Sequence, residues 1–206
     1  MSQEMHAAVR WVGQRDGFSG VVSIWQPSPD ASAVWTVQLD LGKDASNGLF
    51  GFHVHTNPAR GEADLEKTCA RCGGHFNPTG QTHGSVLNPD PRRRHAGDLI
   101  NNVKTDQRGR VRVRFTDDMA TLIETASRPY SIIGCSLVVH ADTDDLGRQG
   151  LFRGGHPPHI NGNGCWVPQS GVFTEYASKS PRFAESLRTG NAGARIACGN
   201  IVRVVA

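Results

Sequence analysis

Six histidines and one aspartate, His53, His55, His75, His83, His95, His140 and Asp98, supply enough ligands for two neighbouring transition-metal ions. His53 and His55 stand two apart in Gly51-Phe52-His53-Val54-His55. Side chains alternate along a strand, so both imidazoles face the same way, roughly 6.7 Å apart, and an ion can sit between such rings. His75, His83, His95 and Asp98 follow within or beside one long loop. Three imidazoles and a carboxylate suit zinc, which binds N and O ligands tetrahedrally at about 2.0–2.2 Å, and a closed set of this kind is structural. His53, His55 and His140 form a second, all-imidazole set. Imidazole suits Cu, Zn, Fe or Ni, and geometry chooses among them. No ligand in the sequence completes a third site at His156 and His159, and His6 reads as a surface or hydrogen-bonded residue.

Strands must position these rings. Residues 6–26 read as a β-hairpin, with Ala8, Trp11 and Val12 before Gly13-Gln14-Arg15-Asp16-Gly17 and Val21, Val22, Ile24 and Trp25 after it. Further strands are expected at 33–41, 49–56, 110–116, 131–141 and 199–205. Alternation is cleanest at Val111, Val113 and Phe115, which leaves Arg110, Arg112 and Arg114 on a solvated sheet face. Two wide gaps, roughly 57–97 and 142–198, are rich in Gly, Pro, Asn and polar residues, as functional long loops are. No repeat, heptad or linker divides the chain.

Composition agrees with strands and turns. The 206 residues include 24 Gly and 11 Pro, and 37% are hydrophobic, enough to bury one core. The first dozen residues lack a basic segment followed by an apolar one, and no apolar run approaches bilayer length, so neither secretion by that route nor a membrane is expected and the location reads as cytoplasmic. A net charge of +3, with Lys and Arg scattered apart from Arg92-Arg93-Arg94, falls short of a nucleic-acid footprint. Five cysteines leave at least one thiol unpaired. Cys69-Ala70-Arg71-Cys72 is a C-x-x-C, but no second pair and no thioredoxin-like βαβ unit surrounds it.

The ligands fall within longer motifs: Gly74-His75-Phe76-Asn77-Pro78, His83-Gly84, His95-Ala96-Gly97-Asp98-Leu99, Val138-Val139-His140-Ala141, Asp144-Asp145-Leu146-Gly147 and Thr189-Gly190-Asn191-Ala192-Gly193-Ala194-Arg195-Ile196-Ala197-Cys198-Gly199. In this order, from about Met5 to the C-terminus, they resemble the Cu/Zn superoxide dismutase family. The resemblance implies an all-β, immunoglobulin-like Greek-key barrel or sandwich of about eight antiparallel strands with long metal-binding and electrostatic loops, an architecture in which this enzyme is a known member. It implies copper at His53, His55, His75 and His140, zinc at His75, His83, His95 and Asp98, and His75 as the bridging, catalytic imidazole. By the same resemblance Asp144 binds a ligand of each metal from outside, Arg195 guides the anion, Thr189 sits at the channel rim, and Cys69 pairs with Cys198, leaving Cys72, Cys135 and Cys165 as free thiols.

The implied activity converts superoxide anions and protons to dioxygen and hydrogen peroxide by cycling copper beside a structural zinc. Implied partners are superoxide, a second copy of the chain in a homodimer, and a copper chaperone that loads the site. This chain departs from the family pattern in an insertion at about 148–184, inside a single domain spanning 1–206, and in longer stretches at 56–74 and 84–94. The stretch at 56–74 lies where family members build part of their dimer contact. A copper carrier on the same fold and a zinc-only structural protein are the competing readings; the first predicts an additional Cys-rich domain or lost ligands, the second zinc in both sites.

Overall fold

In the computed structural model of the chain the described residues are 4–88, 90–148, 159–160, 166–167 and 181–205. Ten strands occur among them: β1 (Met5–Gln14), β2 (Ser19–Gln26), β3 (Ala33–Asp40), β4 (Leu49–His55), β5 (Asn102–Lys104), β6 (Arg110–Asp117), β7 (Ser136–His140), β8 (His159–Ile160), β9 (Trp166–Val167) and β10 (Arg195–Val204). Eight form one antiparallel sheet in the order β5-β4-β7-β10-β1-β2-β3-β6, and β8 pairs with β9. The ends of that order, β5 and β6, lie against each other, so the sheet is nearly closed into a barrel. The jump from β3 to β4 and the return of β10 beside β1 make the Greek-key path.

The expected hairpin is β1 and β2, paired from Met5 opposite Gln26 to Ala8 opposite Ser23. On β6, Val111 is buried while Arg110, Arg112 and Arg114 are exposed, as the alternation requires. Trp35, fully buried, stacks on Phe115 across the β3–β6 pair at 5.8 Å. The core joins these residues to Val22, Ile24, Val37, Leu39, Phe52, Val54, Leu137, Val139 and Ile201. β4 is buried on both faces: Phe52 and Val54 point into this core, while His53 and His55 point outward beneath the loops that cover them.

β7 is shorter than the run 131–141 suggests. Ile132 bonds back to Thr121 O, and Gly134, at φ 86°, bonds to Ile201 O, so the chain turns before it enters the ladder. β10 begins four residues earlier than expected because Arg195 pairs with His140. Two helices were not legible as such: α1 (Leu65–Ala70), N-capped by Asp64, whose side chain accepts from Lys67 N, and α2 (Pro181–Thr189), which opens on a proline. Most of the expected insertion at 148–184, including His156 and Cys165, lies outside the described residues; His159 is present as part of β8. No helix among the described residues is long and apolar enough to cross a membrane.

Candidate metal centre

The fold brings the ligands together as two clusters. His53, His55, His75 and His140 each offer a ring nitrogen to a group whose atoms lie within 4.8 Å of one another, and His75, His83, His95 and Asp98 form a second such group. All seven residues are buried. β4 pairs with β7 so that Phe52 faces Val139 and His53 faces Val138, which carries His140 to the His53 side. The loop after β4 folds back on it: Thr56 N donates to Gly74 O at 3.0 Å and Phe76 N to Val54 O at 2.8 Å, setting His75 against the strand. Gly97 then packs so closely that a Cβ there would strike Val54 O, and this approach places His95 and Asp98 over His75.

In the first cluster the hydrogen bonds fix the tautomers. His55 Nδ1 donates to Gly73 O at 2.9 Å and His140 Nδ1 to Gly193 O at 3.2 Å. A carbonyl only accepts, so in each neutral ring Nε2 carries a lone pair, and these two nitrogens face each other at 3.3 Å. His53 Nδ1 and His75 Nε2 are buried with no hydrogen-bond partner among the described residues. Four inward lone pairs thus converge where no donor among the described residues supplies a proton. Burial, reinforced by His75, His140 and Arg195, holds His55 well below the ordinary imidazole pKa; burial with His53 and His75 does the same for His140, and burial with His53 lowers His75 to about 3.

The second cluster is built around a carboxylate. His75 Nδ1, His83 Nδ1 and His95 Nδ1 lie 2.8, 3.0 and 3.1 Å from Asp98 Oδ1. Asp98 Oδ2 accepts from Gly84 N and His95 N, which anchors the 3-10 turn Ala96–Asp98. Burial disfavours charge on His83, but Asp144 and Asp98 outweigh it and raise its pKa to about 10. Burial likewise opposes ionisation of Asp98, and His83 overrides it, leaving the carboxyl well below its usual range.

Asp144 ties the clusters from outside. Its Oδ2 lies 2.6 Å from His53 Nε2 and its Oδ1 3.0 Å from His83 Nε2. With Nε2 donating, the Nδ1 atom of each ring is left for the interior. Gly190, at φ +67°, lets the chain pass this pair, since a Cβ there would meet both the Asp144 carboxylate and His83 Nε2, at 2.5 Å from the latter.

One cavity opens onto the first cluster, lined by His55, His75, His140, Arg195, Thr189 and Glu185 among others. The Arg195 guanidinium is clamped by Cys69 O at 2.5 Å and Gly73 O at 2.6 Å. Thr189 Oγ1 donates to Glu185, which also pairs with Arg188. Cys69 and Cys198, 129 positions apart in sequence, are joined by a disulfide with Cα atoms 5.6 Å apart. Restricting so long a loop in the unfolded chain is worth about 4–5 kcal/mol on the chain-entropy account.

Sequence comparison decides the family. The profile described as "Copper/zinc superoxide dismutase (SODC)" matches residues 18–173. The superoxide dismutase [Cu-Zn] of Candida glabrata is 36% identical over 185 residues, covering 90% of each chain. That of Neurospora crassa is 36% identical over 197 residues, 96% of this chain and 97% of its own, and that of Saccharomyces cerevisiae 36% over 185 residues, 90% of each. The chain belongs to the copper/zinc superoxide dismutase family.

The family's two metals fit the donors found here. Nitrogen-only donors with buried, unpartnered lone pairs at His53 Nδ1 and His75 Nε2 match copper, and three nitrogens around one carboxylate oxygen match zinc. Sequence reasoning missed four supports of this dismutase centre. Arg94, read only as part of a basic run, is buried and donates to Asp117 Oδ2 at 2.8 Å and to His95 O at 3.2 Å, bracing the zinc-type loop. Gly73 and Gly193 act through their carbonyls, and Asn101 donates to Gly84 O at 2.7 Å. The run of three arginines was the only signal for Arg94; nothing local marks which arginine turns inward.

Proposed function

We infer that this superoxide dismutase holds copper with His53, His55, His75 and His140 and zinc with His75, His83, His95 and Asp98, and converts superoxide to dioxygen and hydrogen peroxide at the first set. The observation that carries the reading is His75, whose Nδ1 faces Asp98 while its Nε2 is buried without a partner beside the other three rings. When bound, copper supplies one-electron chemistry between two oxidation states, whereas zinc, being d10, supplies fixed charge.

The chain's own residues supply attraction, position and proton. Superoxide is an anion, and the permanently charged guanidinium of Arg195 stands in the cavity with its remaining N–H groups available to orient it. His75 Nε2, buried beside the other three rings, is where an imidazole proton can be held next to that anion. Asp144 holds His53 and His83 in the tautomers that aim Nδ1 inward. Thr189, hydrogen-bonded to Glu185, narrows the rim.

The reading includes a single domain over 1–206 with its insertion at about 148–184, a homodimer, loading by a copper chaperone and a cytoplasmic setting. Light scattering tests the homodimer. Metal analysis with a superoxide-consumption assay, before and after copper loading, tests the core reading. Equal copper and zinc with activity appearing on loading is expected; zinc in both sites without activity would make the chain a structural zinc protein.

A further inference from the structure

Cys72 lies beside the disulfide rather than apart from it. Cys69, Cys72 and Cys198 share one buried cluster with Ala59 and Val138, and all three cysteines are 0% exposed, which shuts out thiols from solution. Cys72 N donates to Cys69 O at 3.1 Å, closing a turn at the end of α1. Such a turn keeps its first and fourth Cα atoms within about 7 Å, and disulfides span about 4.4–6.8 Å. Cys69 is therefore in bonding reach of two cysteines: Cys198, at 5.6 Å between Cα atoms, and Cys72. Cys135 packs in the main core, away from this cluster.

We propose that Cys72 is an internal exchange nucleophile for the Cys69–Cys198 disulfide. The Cys72 thiolate attacks Cys69 Sγ; the Cys69–Cys72 bond forms as the Cys69–Cys198 bond breaks, and Cys198 leaves as a thiolate that takes up the proton Cys72 gave away. The count of disulfides is unchanged, so no oxidant or reductant is consumed. Exchange would free β10 from the loop carrying α1. It would also loosen Arg195, because both carbonyls that clamp the guanidinium, Cys69 O and Gly73 O, bracket Cys72. Burial pushes the Cys72 thiol up, against the Ser136 hydroxyl and the Arg195 charge, so the resting pairing persists near neutrality and exchange belongs to alkaline or loosened states. This inference rests on the thiols alone and stands apart from the metal assignment.

Trypsin cuts after Lys67, Arg71 and Arg195, so Cys69, Cys72 and Cys198 fall on separate peptides. The metal-loaded protein is held without added thiol at pH 7, 8 and 9, quenched in acid, alkylated and mapped without reduction. The expected result is a Cys69–Cys72 linkage with Cys198 alkylated, appearing about tenfold faster per pH unit. A second arm oxidises Cys198→Ser with glutathione disulfide in mild denaturant, where the loosened fold admits the reagent, and should give the Cys69–Cys72 bond, while Cys72→Ser should show no second linkage at any pH. Wild-type protein that retains only Cys69–Cys198, or that links Cys198 to Cys72, overturns the proposal, as does Cys198→Ser with Cys69 and Cys72 both unpaired to each other.

Discussion

The all-imidazole cluster and the carboxylate-bearing cluster share the ring of His75 but balance charge in opposite ways. In the first, burial and neighbouring rings lower His55, His75 and His140, so their inward lone pairs favour an added metal cation over a proton. In the second, Asp98 and Asp144 hold negative charge beside His83 and raise it to about 10, so a proton can serve where a metal would. The first cluster lines the cavity with Arg195; Asp98, at 0% exposure, is sealed beneath the loop. Buried acceptors without donors are costly, at about 1–3 kcal/mol each, so the first cluster is the part of the fold most dependent on its ligand. Under the proposed assignment, the difference separates a site made to meet an incoming anion from one made to hold its neighbour in place.

Removing the shared ring breaks the comparison most completely. His75→Ala should abolish dismutation, by more than the about 10–100-fold typical of losing an outer hydrogen-bond partner, and lower the content of both metals; activity with elemental analysis checks this. Asp144→Asn keeps every proposed ligand but replaces one carboxylate oxygen with a donor facing His53 or His83. Affinity for both metals should fall about 10–100-fold in competition with chelators, and a loss confined to one metal would show that the clusters are not coupled through Asp144. Arg195→Ala should spare metal content while lowering the rate about tenfold and flattening its salt dependence; an unchanged rate would remove Arg195 from anion guidance.

The smallest effect concerns protons in metal-free protein. His55, His75 and His140 have folded pKa values below that of a free imidazole, so the unfolded chain binds more protons as pH falls below about 6.5. Stability should therefore decline from pH 6.5 towards 4, by about 1.4 kcal/mol per pH unit for each proton taken up, and thermal melts of metal-free against loaded protein should diverge in that window. His83 is protonated in both states there and does not offset the decline.

Much of this was legible in the sequence because the information is local. His53-Val54-His55 reads as one strand face whatever surrounds it, and the observed rings lie 6.4 Å apart between centroids. The alternation of β6 was equally plain. What stayed hidden depends on distant partners. β5 is three residues long and takes its place from pairing with β4, so no periodicity announces it. α1 is too short to show an apolar stripe. Arg94 is told from Arg92 and Arg93 only by Asp117 reaching it from β6, and the turn from Cys69 to Cys72 matters only once β10 delivers Cys198.

The central claim is that one imidazole serves two ions. Diffraction from fully loaded crystals, collected on either side of the copper and zinc absorption edges, tests it most directly. A copper peak is expected at His75 Nε2 beside His53, His55 and His140, and a zinc peak at His75 Nδ1 beside His83, His95 and Asp98. Two peaks with no ring in common, or one element in both positions of active protein, would contradict it.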